Sequence, residues 1–212
     1  MIEQLNKDTF IRAIGITLDN TKTFDELFNE MTFREYLDMY IHYCVFTFIG
    51  GRFVKHRLTK KNLEELDIDD EELFKIALSN TMRMFPPKIE RLDYVIERLM
   101  DGCYPFTDEE DMPYSSPLYY LGNESGRFGS SVILYDNILE QIYDMIKQEY
   151  YLIPSSVDEY LFIPDSEVCP GPEFILDMVK LVNSDVLTKD KVLSDSIYHY
   201  CHKSKNLTVL SK

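Results

Sequence analysis

Two short apolar runs joined by a proline-serine turn constrain the fold of this chain more than any other feature. Residues 150–165 read YYLIPSSVDEYLFIPD, in which Pro154, Ser155 and Ser156 separate the two runs. Short β-favouring runs bounded by turn residues are typical of paired strands. The sequence therefore predicts that residues 150–165 form a central hairpin of a β-sheet. The same stretch holds a compact group of polar residues, which are Ser155, Ser156, Asp158 and Glu159.

Other strands and helices follow from turn residues and from the spacing of apolar side chains. Gly50 and Gly51 separate two runs rich in aromatic and β-branched residues, which predicts a second hairpin. The first 20 residues predict a short helix and a turn, and the last two apolar runs predict a closing hairpin. Helical apolar spacing predicts helices from Thr23, over 73–84, over 89–100 and from Glu173. The last of these helices places on one apolar face Phe174, Met178, Leu181 and Val182.

A linker is predicted between two lobes. Residues 101–117 combine a glycine, three prolines and an acidic run, which is a composition typical of linkers. We therefore expect an N-terminal lobe over residues 1–100 and a C-terminal lobe over residues 118–212, joined as one compact unit. The expected fold class is α+β. In it, a helical N-terminal lobe with one hairpin packs on a C-terminal lobe with a mostly antiparallel sheet and flanking helices.

The charge of the chain limits its partners. The formal net charge is −15, from 37 acidic and 22 basic residues. Binding along the phosphate backbone of a nucleic acid needs clustered lysine and arginine. Anionic membrane surfaces attract the same residues. We therefore expect neither direct nucleic-acid binding nor membrane binding. An acidic surface instead favours a protein partner with a basic surface, such as a nucleic-acid enzyme with a positively charged channel.

The cysteines and the apolar runs predict a cytoplasmic protein. The four cysteines lie far apart, without the close pair that marks a zinc or redox motif. The chain begins without a charged-then-apolar leader, and no apolar run approaches the roughly 18 residues of a membrane span. We therefore expect reduced thiols in the cytoplasm. The sequence also lacks a metal-binding or cofactor-binding motif, so we expect neither a metal ion nor a cofactor.

Acidic runs and tyrosines are the candidate partner-binding residues. Carboxylates interspersed with tyrosines can imitate the charges and stacked bases of a nucleic acid, and so occupy a basic groove. The alternative is a solvated face, because acids in the first turn of a helix complement its dipole without any ligand. The candidates are Glu71, Glu72, Asp108, Glu109, Glu110, Asp111, Tyr114 and Tyr119.

The serines of the central hairpin allow two interpretations. A hydrolase-like site would use Ser155 or Ser156 as nucleophile, with Glu159, His199 or His202 as base. However, no nucleophile-elbow spacing surrounds either serine. The structural alternative is that serine and aspartate oxygens accept hydrogen bonds from free backbone N–H groups of a turn, and the sequence favours this alternative.

Four segments in order carry a family resemblance. They are residues 73–86 (LFKIALSNTMRMFP), 118–135 (LYYLGNESGRFGSSVILY), 153–159 (IPSSVDE) and 178–198 (MVKLVNSDVLTKDKVLSDSIY). Over residues 40–205 the chain resembles domain-of-unknown-function family 5688, which is common in Gram-positive gut bacteria and their mobile elements. The resemblance implies no assigned activity. That family carries histidine where this chain has Asp158, so a mechanism that needs imidazole at that position is absent.

Together these features give three hypotheses of function. The first is a non-enzymatic acidic interaction protein from a phage or mobile element, which binds and inhibits a basic or nucleic-acid-processing protein. The second is a hydrolase-like enzyme centred on Pro154, Ser155 and Ser156. The third is a structural or self-associating module, because the sequence leaves a homo-oligomer open.

Overall fold

The computed structural model describes residues 6–20, 32–99 and 117–211. The chain divides into two compact units, Met1–Pro86 and Pro87–Lys212, and both combine helices with antiparallel strands. The predicted α+β class is therefore confirmed. The helix predicted from Thr23 and nearly all of the predicted linker lie outside the described residues.

The N-terminal unit holds a four-stranded antiparallel sheet in which β3 pairs with each of the other strands. Its strands are β1 (Ile14–Asp19), β2 (Phe33–Tyr36), β3 (Met39–Ile49) and β4 (Arg52–Arg57). Its helices are α1 (Lys7–Ala13), α2 (Lys60–Glu64) and α3 (Asp70–Met84). The hairpin predicted around Gly50 and Gly51 is confirmed as β3 and β4. The first 20 residues were expected to form a helix and a turn, but β1 follows α1 directly because every one of its residues is buried against neighbouring elements.

Side chains of α3 cover the edge of β1 that does not pair with β3. The Thr81 hydroxyl accepts a hydrogen bond from the backbone N–H of Ile16 at 2.8 Å and donates one to the carbonyl of Ala77 at 2.7 Å. The Asn80 amide donates to the carbonyl of Ile14 at 2.9 Å. An edge strand otherwise presents unpaired backbone groups, so these contacts explain how β1 is buried on an edge.

We expect Thr81→Val to lower the free energy of unfolding by about 1 to 3 kcal/mol, because it leaves the buried N–H of Ile16 without its acceptor. Thr81→Ser keeps the hydroxyl and is the matched control, with an expected loss of less than about half that of valine. Urea unfolding of both variants measures the difference. A valine variant as stable as the wild type would show that this hydrogen bond does not stabilise the edge.

The C-terminal unit holds a six-stranded antiparallel sheet with strand order β10-β9-β7-β8-β6-β5. Its strands are β5 (Pro87–Arg91), β6 (Tyr119–Asn123), β7 (Tyr150–Ser156), β8 (Glu159–Pro164), β9 (Ile197–Cys201) and β10 (Asn206–Leu210). Its helices are α4 (Leu92–Leu99), α5 (Ile138–Ile146) and α6 (Pro172–Asp185). The predicted central hairpin is confirmed as β7 and β8, which occupy the middle of the sheet. The predicted closing hairpin is confirmed as β9 and β10.

One predicted helix is partly wrong. Residues 89–100 were expected to be helical throughout, but β5 occupies Pro87–Arg91 and α4 begins only at Leu92. The backbone of Ile89 pairs with Leu121 of β6, and this pairing overrides the helical spacing of the apolar residues. Because β5 belongs to the C-terminal sheet, contacts divide the chain between Pro86 and Pro87, ahead of residues 101–117.

The two faces of the C-terminal sheet are covered by different elements. On one face, buried tyrosines pack beneath α5 and the 3-10 helix Gly129–Leu134. The hydroxyl of Tyr160 donates to the carbonyl of Ser130 at 3.1 Å, and that of Tyr150 donates to the carbonyl of Leu139 at 3.1 Å. On the other face, α6 buries a small cluster, whose members include Tyr151, Ile163, Ile175, Leu176, Val179 and Ile197.

Candidate functional site

The polar residues of the central hairpin form its turn. The Ser155 and Ser156 hydroxyls donate to the same carboxylate oxygen of Glu159, at 3.5 and 3.4 Å. The Ser156 hydroxyl also accepts a hydrogen bond from the backbone N–H of Asp158 at 3.1 Å. This is the capping geometry that serine adopts in turns, and it matches the structural alternative for these residues.

Asp158 connects the hairpin turn to two other segments. One carboxylate oxygen accepts a hydrogen bond from the backbone N–H of Phe128 at 2.9 Å, and the other forms an ion pair with Lys191. Backbone hydrogen bonds join the same segments. The N–H of Val157 donates to the carbonyl of Lys191 at 3.0 Å, and the N–H of Ser130 donates to the carbonyl of Val157 at 3.3 Å. Asp158 therefore has a structural role.

The two candidate histidine bases lie away from the serines. His199 is opposite Tyr151 on β7, four residues before Ser155, which corresponds to roughly 13 Å along a strand. Its ring nitrogen lies 3.0 Å from a carboxylate oxygen of Asp165. His202 stacks on Tyr143 with 3.7 Å between the ring centroids. Neither histidine is therefore within hydrogen-bond reach of Ser155 in this arrangement.

Acidic side chains lie close to Tyr120 and to the hairpin turn. Burial and the neighbouring Asp158 raise the pKa of Glu159. Burial, followed by the charges of Glu159, Asp158 and Glu90, raises the pKa of Tyr120 to about 12. Glu159, Asp158 and Glu90 thus lie near Tyr120, and Lys191 and Lys88 pair with the last two of these acids.

An apolar groove of about 210 Å³ runs between α6 and this face of the sheet. Its floor consists of Ile153, Leu161 and Ile163 of the hairpin. Its wall consists of Phe174, Met178 and Val182 of α6. From the groove wall outward, α6 exposes an apolar row that consists of Phe174 (48% exposed), Met178 (41%) and Leu181 (53%). Helical spacing identifies this face, but it also predicts that such a face is buried. The sequence does not show that the sheet covers only part of it.

Carboxylates surround the apolar groove. The polar lining residues Ser155 and Asn183 are hydrogen-bonded to acids, since Ser155 contacts Glu159 at 3.5 Å and the Asn183 amide donates to Asp195 at 3.0 Å. On α6, helical geometry places Asp177 and Asp185 on the same side as the apolar row, because they are three, four or seven residues from its members. By the same geometry, Lys180 lies on the opposite flank, above Leu176.

The predicted partner-binding residues do not come together in one described unit. Glu71 and Glu72 lie in the first turn of α3 in the N-terminal unit, where Glu71 pairs with Arg34 at 3.0 Å. Tyr119 lies on β6 of the C-terminal unit and stacks on Phe162 with 4.8 Å between ring centroids. The remaining candidates lie outside the described residues: Asp108, Glu109, Glu110, Asp111 and Tyr114.

The N-terminal sheet contains a buried polar cluster that sequence analysis missed. Asp19 on β1 accepts hydrogen bonds from Thr17 at 3.0 Å and from Arg57 on β4 at 2.8 Å, and Lys55 lies 3.5 Å away. Burial alone would raise the pKa of Asp19, but the charges of Lys55 and Arg57 outweigh it and lower that pKa.

His42 on β3 belongs to the same cluster, and its burial lowers its pKa to about 4 despite the nearby Asp19. The signal in the sequence is three polar pairs at a spacing of two residues, Thr17 with Asp19, His42 with Cys44, and Lys55 with Arg57. Such spacing places each pair on one face of a strand.

The described residues hold neither a candidate metal site nor a membrane-spanning helix. Within residues 6–20, 32–99 and 117–211, no three histidine, cysteine or acidic side chains are grouped so as to hold a metal ion. Cys44, Cys169 and Cys201 are free thiols. None of the helices in the described part of the chain is long and apolar enough to cross a bilayer.

Comparison with known proteins places the chain in a family. A family model described as a family of unknown function, DUF5688, matches residues 3–202. No curated protein and no solved structure matches the chain. The match spans nearly the whole chain and confirms the resemblance that the four ordered segments indicate. The chain therefore belongs to the DUF5688 family of unknown function.

Proposed function

We propose that this chain is a non-enzymatic interaction protein whose C-terminal unit binds a basic protein partner. The observation that carries the proposal is the apolar row of α6 beside a groove edged with carboxylates. Protein interfaces commonly combine a core of large apolar side chains with a polar or charged rim. The arrangement around α6 has both parts on one side of the unit.

The net charge of −15 supports the choice of partner. Complementary charge speeds the encounter of two proteins and disfavours partners of like charge. A nucleic-acid-processing protein has a basic surface of this kind, and inhibition of such a protein in the cytoplasm is the form of the function that we favour. A phage or mobile-element origin agrees with this role.

The hydrolase-like alternative has less support from the geometry. A serine nucleophile needs a base that accepts its proton and a third group that orients the base. Ser155 and Ser156 share the carboxylate of Glu159, but Ser156 also accepts a backbone hydrogen bond within the turn. The pair therefore resembles a turn cap more closely than an activated nucleophile.

The proposal predicts that Met178→Gln weakens capture of the natural partner. Met145 on α5 is 49% exposed, close to the 41% of Met178, so Met145→Gln is a matched control with the same chemical change. Burying an amide in an apolar interface without a hydrogen-bond partner costs about 1 to 3 kcal/mol, so we expect a loss of roughly tenfold or more in affinity for Met178→Gln alone. Affinity purification from the native host with each variant as bait, followed by quantitative identification of retained proteins, measures this difference.

The same purification tests the charge of the partner. We expect the protein whose capture depends on Met178 to be basic and to be lost as the salt concentration rises, because salt screens attraction between exposed charges. If Met178→Gln and Met145→Gln retain the same proteins in the same amounts, the α6 face does not bind the partner and the proposal fails.

A further inference from the structure

Resting on the proposed function, we infer that the α6 groove binds an amphipathic α-helix of the partner, with basic residues on both sides of the helix's apolar face. The groove, the apolar row and the surrounding carboxylates each restrict the occupant in a different way. Together they distinguish a helix from a small molecule, from a β-strand and from a second copy of this chain.

The size of the groove argues against a small molecule as the occupant. Sites for drug-sized ligands typically measure about 300 to 1,000 Å³ and bury most of the ligand surface. The α6 groove has about 210 Å³, and the apolar row continues outside it with Leu181, which is 53% exposed. A shallow groove with an apolar border suits a few anchor side chains of a larger partner.

The position of the groove argues against an added β-strand. A partner strand pairs with the backbone at the edge of a sheet. The floor of the groove belongs to β7 and β8, which lie in the middle of the sheet and already pair on both sides. At Leu161, which pairs with Ile153 of β7 and with Tyr120 of β6, only the side chain is therefore available for contact.

The length of the apolar row fits a short helix. The wall of the groove extends from Phe174 to Val182, which is about 12 Å along α6. A partner helix that presents apolar side chains at positions i, i+4 and i+7 covers a similar length with two turns. This is the helix-in-groove mode, in which the apolar face of an amphipathic helix occupies a hydrophobic groove.

The charges around the groove specify basic flanks. Glu159 and Asp195 contact its two polar lining residues, while Asp177 and Asp185 flank the exposed apolar row of α6. Lysine or arginine beside the apolar face of the partner helix would lie near these acids on both sides. A second copy of this chain would bring the same acids against each other, and like charges disfavour that association.

Three synthetic peptides of 18 residues test the inference by fluorescence anisotropy with the full chain. The first is an amphipathic helix with leucine on one face and lysine on the flanks. The second replaces every lysine with glutamate, and the third scrambles the first so that charge is kept but the apolar face is lost. We expect the lysine peptide to bind at least tenfold more tightly than the other two, and to lose roughly tenfold in affinity with Met178→Gln but not with Met145→Gln.

Each other outcome overturns the inference in a recognisable way. Equal binding of the lysine and scrambled peptides would reveal charge attraction without a groove. Equal binding of the lysine and glutamate peptides, both weakened by Met178→Gln, would contradict the basic flanks while the proposed function stands. A dimer of the chain that Met178→Gln disrupts, detected by sedimentation, would assign the groove to a second copy. If Met178→Gln changes neither peptide binding nor capture of the native partner, the proposed function fails as well.

Discussion

Gly129→Ala is expected to destabilise the C-terminal unit by about 3 kcal/mol or more, the largest effect of any single methyl group that we predict. A Cβ atom at this position would lie 2.1 Å from the carbonyl oxygen of Asp158 and 3.2 Å from the Cα of Gly122. Both neighbours are backbone atoms, so no side-chain rotation relieves the clash.

The backbone around Gly129 is also held in place. The carboxylate of Asp158 accepts a hydrogen bond from the backbone N–H of Phe128. The backbone N–H of Asp158 donates one to the Ser156 hydroxyl. Gly122 lies within β6 and pairs with Lys88 of β5. An alanine at 129 must therefore separate the 3-10 helix from the hairpin turn, which breaks the hydrogen bonds from Phe128 to Asp158 and from Ser130 to Val157.

Gly171→Ala is the matched control for Gly129→Ala. A Cβ atom there meets nothing within 4 Å, and the φ of −58° suits any L-residue. Since Gly171 is the N-cap of α6, we expect a loss of no more than about 1 kcal/mol. Urea unfolding followed by circular dichroism compares the two variants. Equal losses would mean that the 3-10 helix can move away from the hairpin at little cost.

The fold of the C-terminal unit was predictable where local chemistry agreed with tertiary pairing. The central hairpin combines β-favouring runs with Pro154 and two serines in one stretch, and both signals lead to the same structure. The β5 strand was not predictable in this way. Ile89 and Leu92 satisfy a helical spacing, and only the pairing of Ile89 with Leu121 decides that the segment before Leu92 is a strand.

The candidate site shows a different limit of sequence analysis. Spacing placed Phe174, Met178, Leu181 and Val182 on one apolar face of α6, but spacing does not tell which part of a helix the neighbouring sheet covers. Ile175 and Val179 are buried, whereas Phe174 and Met178 on the groove side remain about half exposed. Exposure of this kind depends on the path of α6 across the sheet, and that path is fixed by long-range contacts.

The stability of the N-terminal unit is expected to fall as the pH decreases from about 6.5 to about 4, because of His42. His42 is 1% exposed, and its pKa is lowered to about 4 by burial, with the charges of Arg57 and Lys55 adding to the effect and that of Asp19 opposing it. In the unfolded chain its pKa returns to about 6.5, so protons bind to the unfolded state first as the pH falls.

The sign and the size of this effect follow from linkage. Above about pH 6.5 the imidazole is neutral in both states, and its full contribution is present. Between about pH 7.5 and pH 5 the unfolded state gains about 2 kcal/mol from protonation of His42, and the total approaches about 3 kcal/mol near pH 4. Asp19 acts in a lower range, because its pKa is held below the usual value and its contribution is lost only as the pH falls through that lowered pKa.

Urea unfolding at about pH 7.5 and pH 5 measures the effect for the wild type, for His42→Gln and for His56→Gln. His42→Gln removes the titrating group, so its loss of stability between the two pH values should be about 2 kcal/mol smaller than that of the wild type, whatever its stability at pH 7.5. His56 is exposed on the neighbouring strand β4, so His56→Gln makes the same substitution outside the buried cluster and is the matched control. If His42→Gln retains the full loss, His42 is protonated as readily in the folded chain as in the unfolded one. Its burial beside Arg57 and Lys55 would then not exclude the charged imidazole.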